Sequence, residues 1–127
     1  MTTSATPTDP RIHLIATMVA IAHADGDFAD VERERIVAVA NFLGLPAAAR
    51  AHVDALIAAP EPPPLPPADA LPDYQTRCFA YQYAIDVAMA DGVVHEHERA
   101  QLSQLAQLWA ISEEDATRIW RGVEALS

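Results

Sequence analysis

The sequence predicts an all-α fold, a compact helical domain of about six to seven helices built from two repeated three-helix units. Ala is abundant, whereas Gly and aromatic residues are few, and this composition favours helices over sheets. Apolar residues also recur at the spacing of one helix face. The clearest example is the stripe Ile36, Val39, Ala40 and Leu43.

The second half of the chain repeats the first half at an offset of 66 residues, which places Arg11 opposite Arg77. The identical residues of the first unit are Arg11, Ala22, Ala24, Asp25, Gly26, Glu32, Arg33 and Ala40, and those of the second are Arg77, Ala88, Ala90, Asp91, Gly92, Glu98, Arg99 and Ala106. The apolar stripe recurs as Leu102, Leu105, Ala106 and Trp109. Two units with one pattern predict a single domain with pseudo-twofold character.

The first unit, residues 10–59, is predicted to form helices at about 10–24, 30–43 and 46–59. Asp9 stands in the N-cap position, and Pro10 suits the first position of a helix. The first helix is apolar nearly all round, which predicts a central, buried helix. Gly44 follows the second helix, where glycine commonly ends helices.

The second unit, residues 73–125, is predicted to form helices at about 73–90, 96–110 and 113–125. Ser112 is the expected cap of the last helix, with Asp115 in position for a reciprocal bond. Residues 60–72 hold seven of the ten prolines and predict an extended, stiff connector. Trp109 is expected in the core, and Trp120 against this connector. The predicted organisation is a disordered leader, 1–8, followed by one domain, 9–127.

The charge balance limits the class of partner. Asp and Glu number 18 against eight arginines, which gives a net charge of −10. Such a chain repels phosphate backbones, so no nucleic-acid binding is expected, whereas divalent cations or basic protein surfaces suit it. Cys78 is the only cysteine, which excludes an intramolecular disulfide and a cysteine zinc site.

The apolar stretch from Ile12 to Ala24 imitates a signal peptide. Its repeat-related segment, 78–90, cannot be a signal, and the stretch is too short to span a bilayer. We therefore expect a cytoplasmic protein without direct membrane insertion. No nucleophile with a base, phosphate-binding glycine loop or cofactor motif is present, so no catalytic residue and no enzymatic activity are expected.

Each unit carries an Asp-Gly turn followed by a Glu, namely Asp25-Gly26 with Glu32 and Asp91-Gly92 with Glu98. This spacing coincides with the back half of an EF-hand loop. Apolar residues and histidine occupy the front half, where calcium needs oxygen ligands, so neither copy is an EF-hand.

Helix capping explains part of the same pattern. Glu32 and Glu98 are three residues beyond Ala29 and His95, as in a capping box, although both are poor N-caps. The aspartates before the glycines have no such role, because an acid at a helix C-terminus opposes the macrodipole. The aspartates therefore indicate a partner, which is either a metal ion or one of the arginines Arg11, Arg33, Arg77 and Arg99.

The segments Ala22-His23-Ala24-Asp25-Gly26 and Ala88-Met89-Ala90-Asp91-Gly92, each with its following Glu, resemble the turn of TerB-like tellurite-resistance proteins. The resemblance covers about residues 11–125. It implies an all-helical, internally duplicated fold and a role in tellurite and general chemical stress resistance. It also implies protein partners, often membrane-associated, and a divalent metal ion at the paired acidic turns.

Carried over by position, the resemblance implies metal ligands at Asp25, Asp27, Glu32, Asp91 and Glu98. The second copy departs from the first at Val93, opposite Asp27, and at His95 and His97, of which His95 is a further candidate ligand. Two imidazoles beside carboxylates shift the preference from calcium toward zinc or nickel, so the identity of the ion stays open among Ca, Mg, Mn and Zn. The expected function is a non-enzymatic, metal-binding stress protein. The alternative is a metal-free acidic scaffold that docks a basic or membrane-associated protein.

Overall fold

The structure, a computed structural model, describes residues 9–24, 28–90, 92, 94 and 96–126. Within these residues it is all-helical, which confirms the predicted fold class. The helices are α1 (Pro10–Ala22), α2 (Asp30–Leu43), α3 (Ala47–Ala58), α4 (Tyr74–Ala88), α5 (Glu96–Leu108) and α6 (Glu113–Leu126). A short 3₁₀ helix, Ala68–Ala70, precedes α4.

The helix ends follow the local signals in the sequence. Asp9 caps α1 by accepting the Arg11 backbone N–H at Oδ1, 3.0 Å away. The left-handed backbone of Gly44, with φ 62°, ends α2. Helix α1 ends two residues earlier than expected, at Ala22, because the Ala24 N–H donates three residues back, to the carbonyl of Ile21, at 3.0 Å.

Helices α1 and α4 form the centre of the molecule and pack against each other. Helix α1 also contacts α2 and α3, and α4 contacts α5 and α6, so each central helix carries the other two helices of its own unit. The first helix is buried along most of its length, as expected, with Ile15, Met18 and Val19 fully inside. One apolar core contains side chains of both units.

Two equivalent arginine bonds recur in the two units. Arg11 Nη1 donates to the carbonyl of Leu43 at 3.1 Å, and Arg77 Nε donates to the carbonyl of Trp109 at 2.8 Å. These pairs are related by the same offset as the sequence repeat. Each bond connects the start of a unit's first helix to the end of its second, so the duplication extends to side-chain contacts.

The connector packs on the core instead of simply spanning the two units. Pro67 has the extended backbone that a proline run favours, with φ −70° and ψ 166°. The connector then forms the 3₁₀ turn and buries Leu71 completely. The Trp109 Nε1–H donates to the carbonyl of Pro66 at 2.8 Å, while Trp120 donates to the hydroxyl of Tyr81. Trp109, fully buried as expected, is therefore the tryptophan that holds the connector.

The cap of α6 is confirmed, but its reciprocal bond is replaced. Ser112 Oγ accepts the Asp115 N–H at 3.1 Å, as predicted. The Asp115 carboxylate instead accepts the Tyr74 hydroxyl at 2.7 Å, and the Ser112 N–H donates to that same hydroxyl at 3.2 Å. The phenol of Tyr74 thus lies between the two groups that a capping box would join directly, and it connects α4 to α6.

Candidate functional site

The two Asp-Gly turns begin with the same backbone hydrogen bonds. In the first unit the N–H groups of His23 and Ala24 donate to carbonyls of α1, at 3.1 and 3.0 Å. In the second, Met89 and Ala90 donate to the equivalent carbonyls of α4, at 3.0 and 3.1 Å. Gly92 has φ 88°, as expected for a glycine in this turn. The two turns therefore start from one backbone geometry.

An apolar residue attaches each turn to the core. Phe28 and Val94, each two residues beyond its glycine, are half-buried and pack against the core. Both turns are thus held to the protein on the side that leads into the next helix.

Glu32 and Glu98 are the two buried acids at these turns. Their exposed fractions are 2% and 0%. Glu32 Oε1 accepts the Ala29 N–H at 3.0 Å, so this Glu caps α2 even though Ala29 has no side-chain acceptor to return the bond. Capping therefore explains the position of Glu32 more fully than the sequence suggests. Burying a carboxylate is costly unless polar groups compensate it, and the chain nevertheless buries one at each of the two equivalent positions.

The arginine after each buried Glu turns toward the third helix of its unit. Arg33 donates to the carbonyl of Ile57 at 2.8 Å, and its guanidinium lies 4.3 Å from the centre of the Phe28 ring. The guanidinium of Arg99 lies 4.9 Å from the centre of the Trp120 ring. In both units the acid is directed inward and the arginine reaches the third helix.

His23 is a candidate that the sequence alone did not single out. Its ring centre lies 4.7 Å from that of Phe28, and its Nε2 is buried without a hydrogen-bond partner among the described residues. Burial, and then the positive charge of Arg33, lower the pKa of His23 and so favour its neutral form. A neutral imidazole can coordinate a metal ion. The signal in the sequence is its place directly before Ala24-Asp25-Gly26, where the second unit has Met89.

Of the six predicted metal ligands, the structure places Glu32 and Glu98. The other four, Asp25, Asp27, Asp91 and His95, lie outside the described residues. Within the described ranges, no three His, Cys, Asp or Glu side chains stand close enough together to hold a metal ion. The metal site and the arginine alternative for the two aspartates therefore both stay predictions.

The described part of the chain holds no helix with the length and apolar character needed to cross a membrane.

Comparison with known proteins points to one family. Residues 2–55 match the model of the family described as Tellurite resistance protein TerB. The matched segment contains α1, α2, the first Asp-Gly turn and most of α3. No curated protein and no solved structure matches the chain. The family match covers most of the first unit, including its Ala22-His23-Ala24-Asp25-Gly26 segment. The second unit has the same Ala-x-Ala-Asp-Gly pattern, three equivalent helices and the equivalent arginine bond. The match over residues 2–55 therefore supports a TerB-like family for this chain.

Proposed function

We propose that this chain is a non-enzymatic stress protein of the tellurite-resistance type, which binds a divalent metal ion through its two Asp-Gly turns. The observation that carries the proposal is the pair of buried carboxylates, Glu32 and Glu98, at equivalent positions beside those turns. Each unit therefore has one buried glutamate close in sequence to the aspartate of its Asp-Gly turn, Asp25 or Asp91.

The donor chemistry suits a divalent cation. Asp25, Asp27 and Glu32 supply carboxylate oxygens at the first turn, and such oxygens suit Ca²⁺, Mg²⁺ and Mn²⁺. At the second turn His95 adds a nitrogen donor, which shifts the preference toward Zn²⁺. The net charge of −10 favours cation binding over anion binding at long range. The site is expected to be asymmetric, with most of its affinity at the first turn.

The proposal is tested by titrating the purified protein with Ca²⁺, Mg²⁺, Mn²⁺ and Zn²⁺ while following Tm. At an ion concentration of about 100 Kd, binding stabilises the folded state by about 2.7 kcal/mol, which raises Tm by about 5 °C or more in a domain of this size. We expect the double variant Asp25→Asn with Asp91→Asn to lose this shift. The matched control is Asp69→Asn, at an exposed acid of the connector, which keeps it.

Two outcomes count against metal binding. If no ion at millimolar excess changes Tm, the turns do not bind a divalent metal. If the double variant unfolds without added metal, whereas the control remains folded, the two aspartates have a structural role.

The second candidate is a metal-free scaffold that docks a basic or membrane-associated protein. Its supporting observation is the exposure of large apolar side chains in an otherwise acidic surface, with Phe42 80% and Leu126 86% exposed. The same titration separates the two candidates. If the protein is a metal-free scaffold, none of the four ions changes its Tm. The double variant Asp25→Asn with Asp91→Asn should then bind less of a basic partner protein than the wild type does.

A further inference from the structure

The second unit has a cavity at the place where the side chain of Arg50 lies in the first unit. Between α2 and α3, Arg50 donates to Asn41 Oδ1 at 2.5 Å and to Asp54 Oδ1 at 2.9 Å. The repeat places Gln107, Ala116 and Trp120 at the three equivalent positions of the second unit, and all three line a cavity of about 310 Å³ between α5 and α6. Because Ala116 has no long side chain to reach from α6 to α5, the space between the two helices stays open.

Arg99 lines this cavity. The Arg99 guanidinium contacts the Trp120 ring, but its N–H groups donate no hydrogen bond within the part of the chain that the structure describes. Its counterpart Arg33 donates to a carbonyl of α3. Arg99 thus presents a forked set of donors, the geometry that matches a carboxylate.

A buried tyrosine, Tyr81, brings a hydroxyl group to the same cavity. Tyr81 is 2% exposed, lines the cavity and accepts the Trp120 Nε1–H at 3.0 Å. Among the described residues, no acceptor is found for its own hydroxyl hydrogen. A buried hydroxyl normally finds a partner, because leaving a donor unsatisfied is costly. The equivalent residue in the first unit is the apolar Ile15, so this polar group is particular to the cavity.

The rest of the lining narrows the ligand class. The hydroxyl of Ser103 and the amide of Gln107 are further donors, and among the described residues of the lining Glu113 is the one acid. The Trp120 ring and Ile111 supply an apolar wall. A volume near the lower end of the usual range for ligand pockets limits the occupant to a small molecule.

We propose that this cavity binds a small organic carboxylate with a flat apolar body. The carboxylate pairs with the Arg99 guanidinium, one of its oxygens accepts the Tyr81 hydroxyl hydrogen, and the apolar body lies along Trp120. This site does not depend on the metal proposed for the Asp-Gly turns, because it lies between α5 and α6 and uses none of the predicted metal ligands.

The test uses the ¹⁵N-labelled full chain and benzoate as the probe. The indole N–H of Trp120, which donates to the Tyr81 oxygen, reports the site, and that of Trp109, which donates to the connector, is the internal control. We expect saturable shifts of the Trp120 signal alone. Benzoate should bind at least about tenfold more tightly than acetate, because only benzoate has an apolar body to bury. Inorganic phosphate and tellurite, titrated in parallel, distinguish a carboxylate site from a general oxyanion site.

Three variants locate the binding. Arg99→Gln should weaken benzoate about tenfold or more, because a charge-assisted pair is lost, whereas Arg121→Gln, at an exposed arginine outside the cavity, should not. Ala116→Arg restores the residue of the first unit and should block the cavity. Tyr81→Phe removes only the hydroxyl and should weaken binding several-fold, which keeps the test decisive if Ala116→Arg does not fold.

The proposal is overturned if benzoate shifts neither indole signal, or if Arg99→Gln and Tyr81→Phe both bind benzoate as tightly as the wild type. Equal affinities for benzoate, acetate and phosphate would also overturn it, since they would show charge attraction without a shaped site.

Discussion

Tyr74 connects two helices through its single phenol oxygen. Its hydroxyl donates to Asp115 and accepts the backbone N–H of Ser112. The hydrogen bond from Tyr74 lowers the pKa of the Asp115 carboxyl below its ordinary value of 3.8. Burial opposes this with a smaller effect, and the side chain of Ser112 and the charge of Arg118 lower the pKa further. The ionised form of Asp115 is therefore favoured in the folded protein.

That lowered pKa predicts a contribution to acid sensitivity. The unfolded chain binds a proton at Asp115 more readily than the folded chain, so the stabilisation is present above about pH 3.8 and is lost as the pH falls through and below that value. Asp115→Asn should make the free energy of unfolding fall less steeply between pH 6 and pH 3 than in the wild type. Urea unfolding at successive pH values measures this slope. Glu124→Gln, at an exposed position, is the control, and equal slopes for Asp115→Asn and the wild type would contradict the prediction.

Glu32 and Glu98 show how far single residues can be read from the sequence. Their recurrence at one offset marks both as special, and the capping pattern places Glu32 at the start of α2. Their burial was not foreseen, because a capping Glu in isolation belongs on a solvated helix end. Burial depends on what packs over the turn, and local spacing does not encode that.

At the scale of elements, each of the central helices α1 and α4 donates an arginine hydrogen bond to the C-terminal end of the next helix of its unit. The last carbonyls of a helix have no partner within it and carry the negative end of its dipole, so a guanidinium there is favourable. Arg11 serves α2 in this way, and Arg77 serves the turn that follows α5. Arg77 also donates to the carbonyls of Leu71 and Pro72, at 2.9 and 3.1 Å, and so joins the connector to the second unit.

Arg77→Ala is therefore expected to destabilise the protein by about 1–3 kcal/mol, since it leaves three carbonyls without their charged donor. Arg77→Lys should recover only part of this loss, because an ammonium group lacks the forked donors of a guanidinium. Urea denaturation gives both values. Arg121→Ala, at an exposed arginine, should change the free energy of unfolding by no more than about 0.5 kcal/mol. An equally small effect of Arg77→Ala would contradict the prediction, since it would show that water hydrogen-bonds to the three carbonyls without loss of stability.

At the scale of the whole molecule, the connector is part of the fold. The indole of Trp109 binds the Pro66 carbonyl, and Leu71 is buried in the core that both units share. A proline run loses little conformational entropy when it is held extended, so a few contacts suffice to dock it. The connector is thereby docked on the second unit through Trp109 and Arg77.

Trp109→Phe tests this docking. The variant keeps most of the apolar volume but removes the N–H donor, so the Pro66 carbonyl loses its partner at a cost of about 1–3 kcal/mol. We also expect faster cleavage within residues 60–72 by proteinase K, followed by mass spectrometry of the fragments. Trp120→Phe removes the bond to Tyr81 and should leave the rate of connector cleavage unchanged. Equal cleavage rates in the wild type and Trp109→Phe would mean that the indole bond does not hold the connector.

The sequence by itself determined the helices, several of their caps and the duplication. These features depend on signals that act within a few residues, such as Asp9 before Pro10, Gly44 after α2 and the apolar stripe of each second helix. The tertiary structure alone decided which distant groups meet. Arg11 reaches the carbonyl of Leu43, 32 residues away, and Trp109 reaches that of Pro66, 43 residues away. Such contacts depend on how the units pack, and the same is true of the cavity that opens where Ala116 stands in place of an arginine.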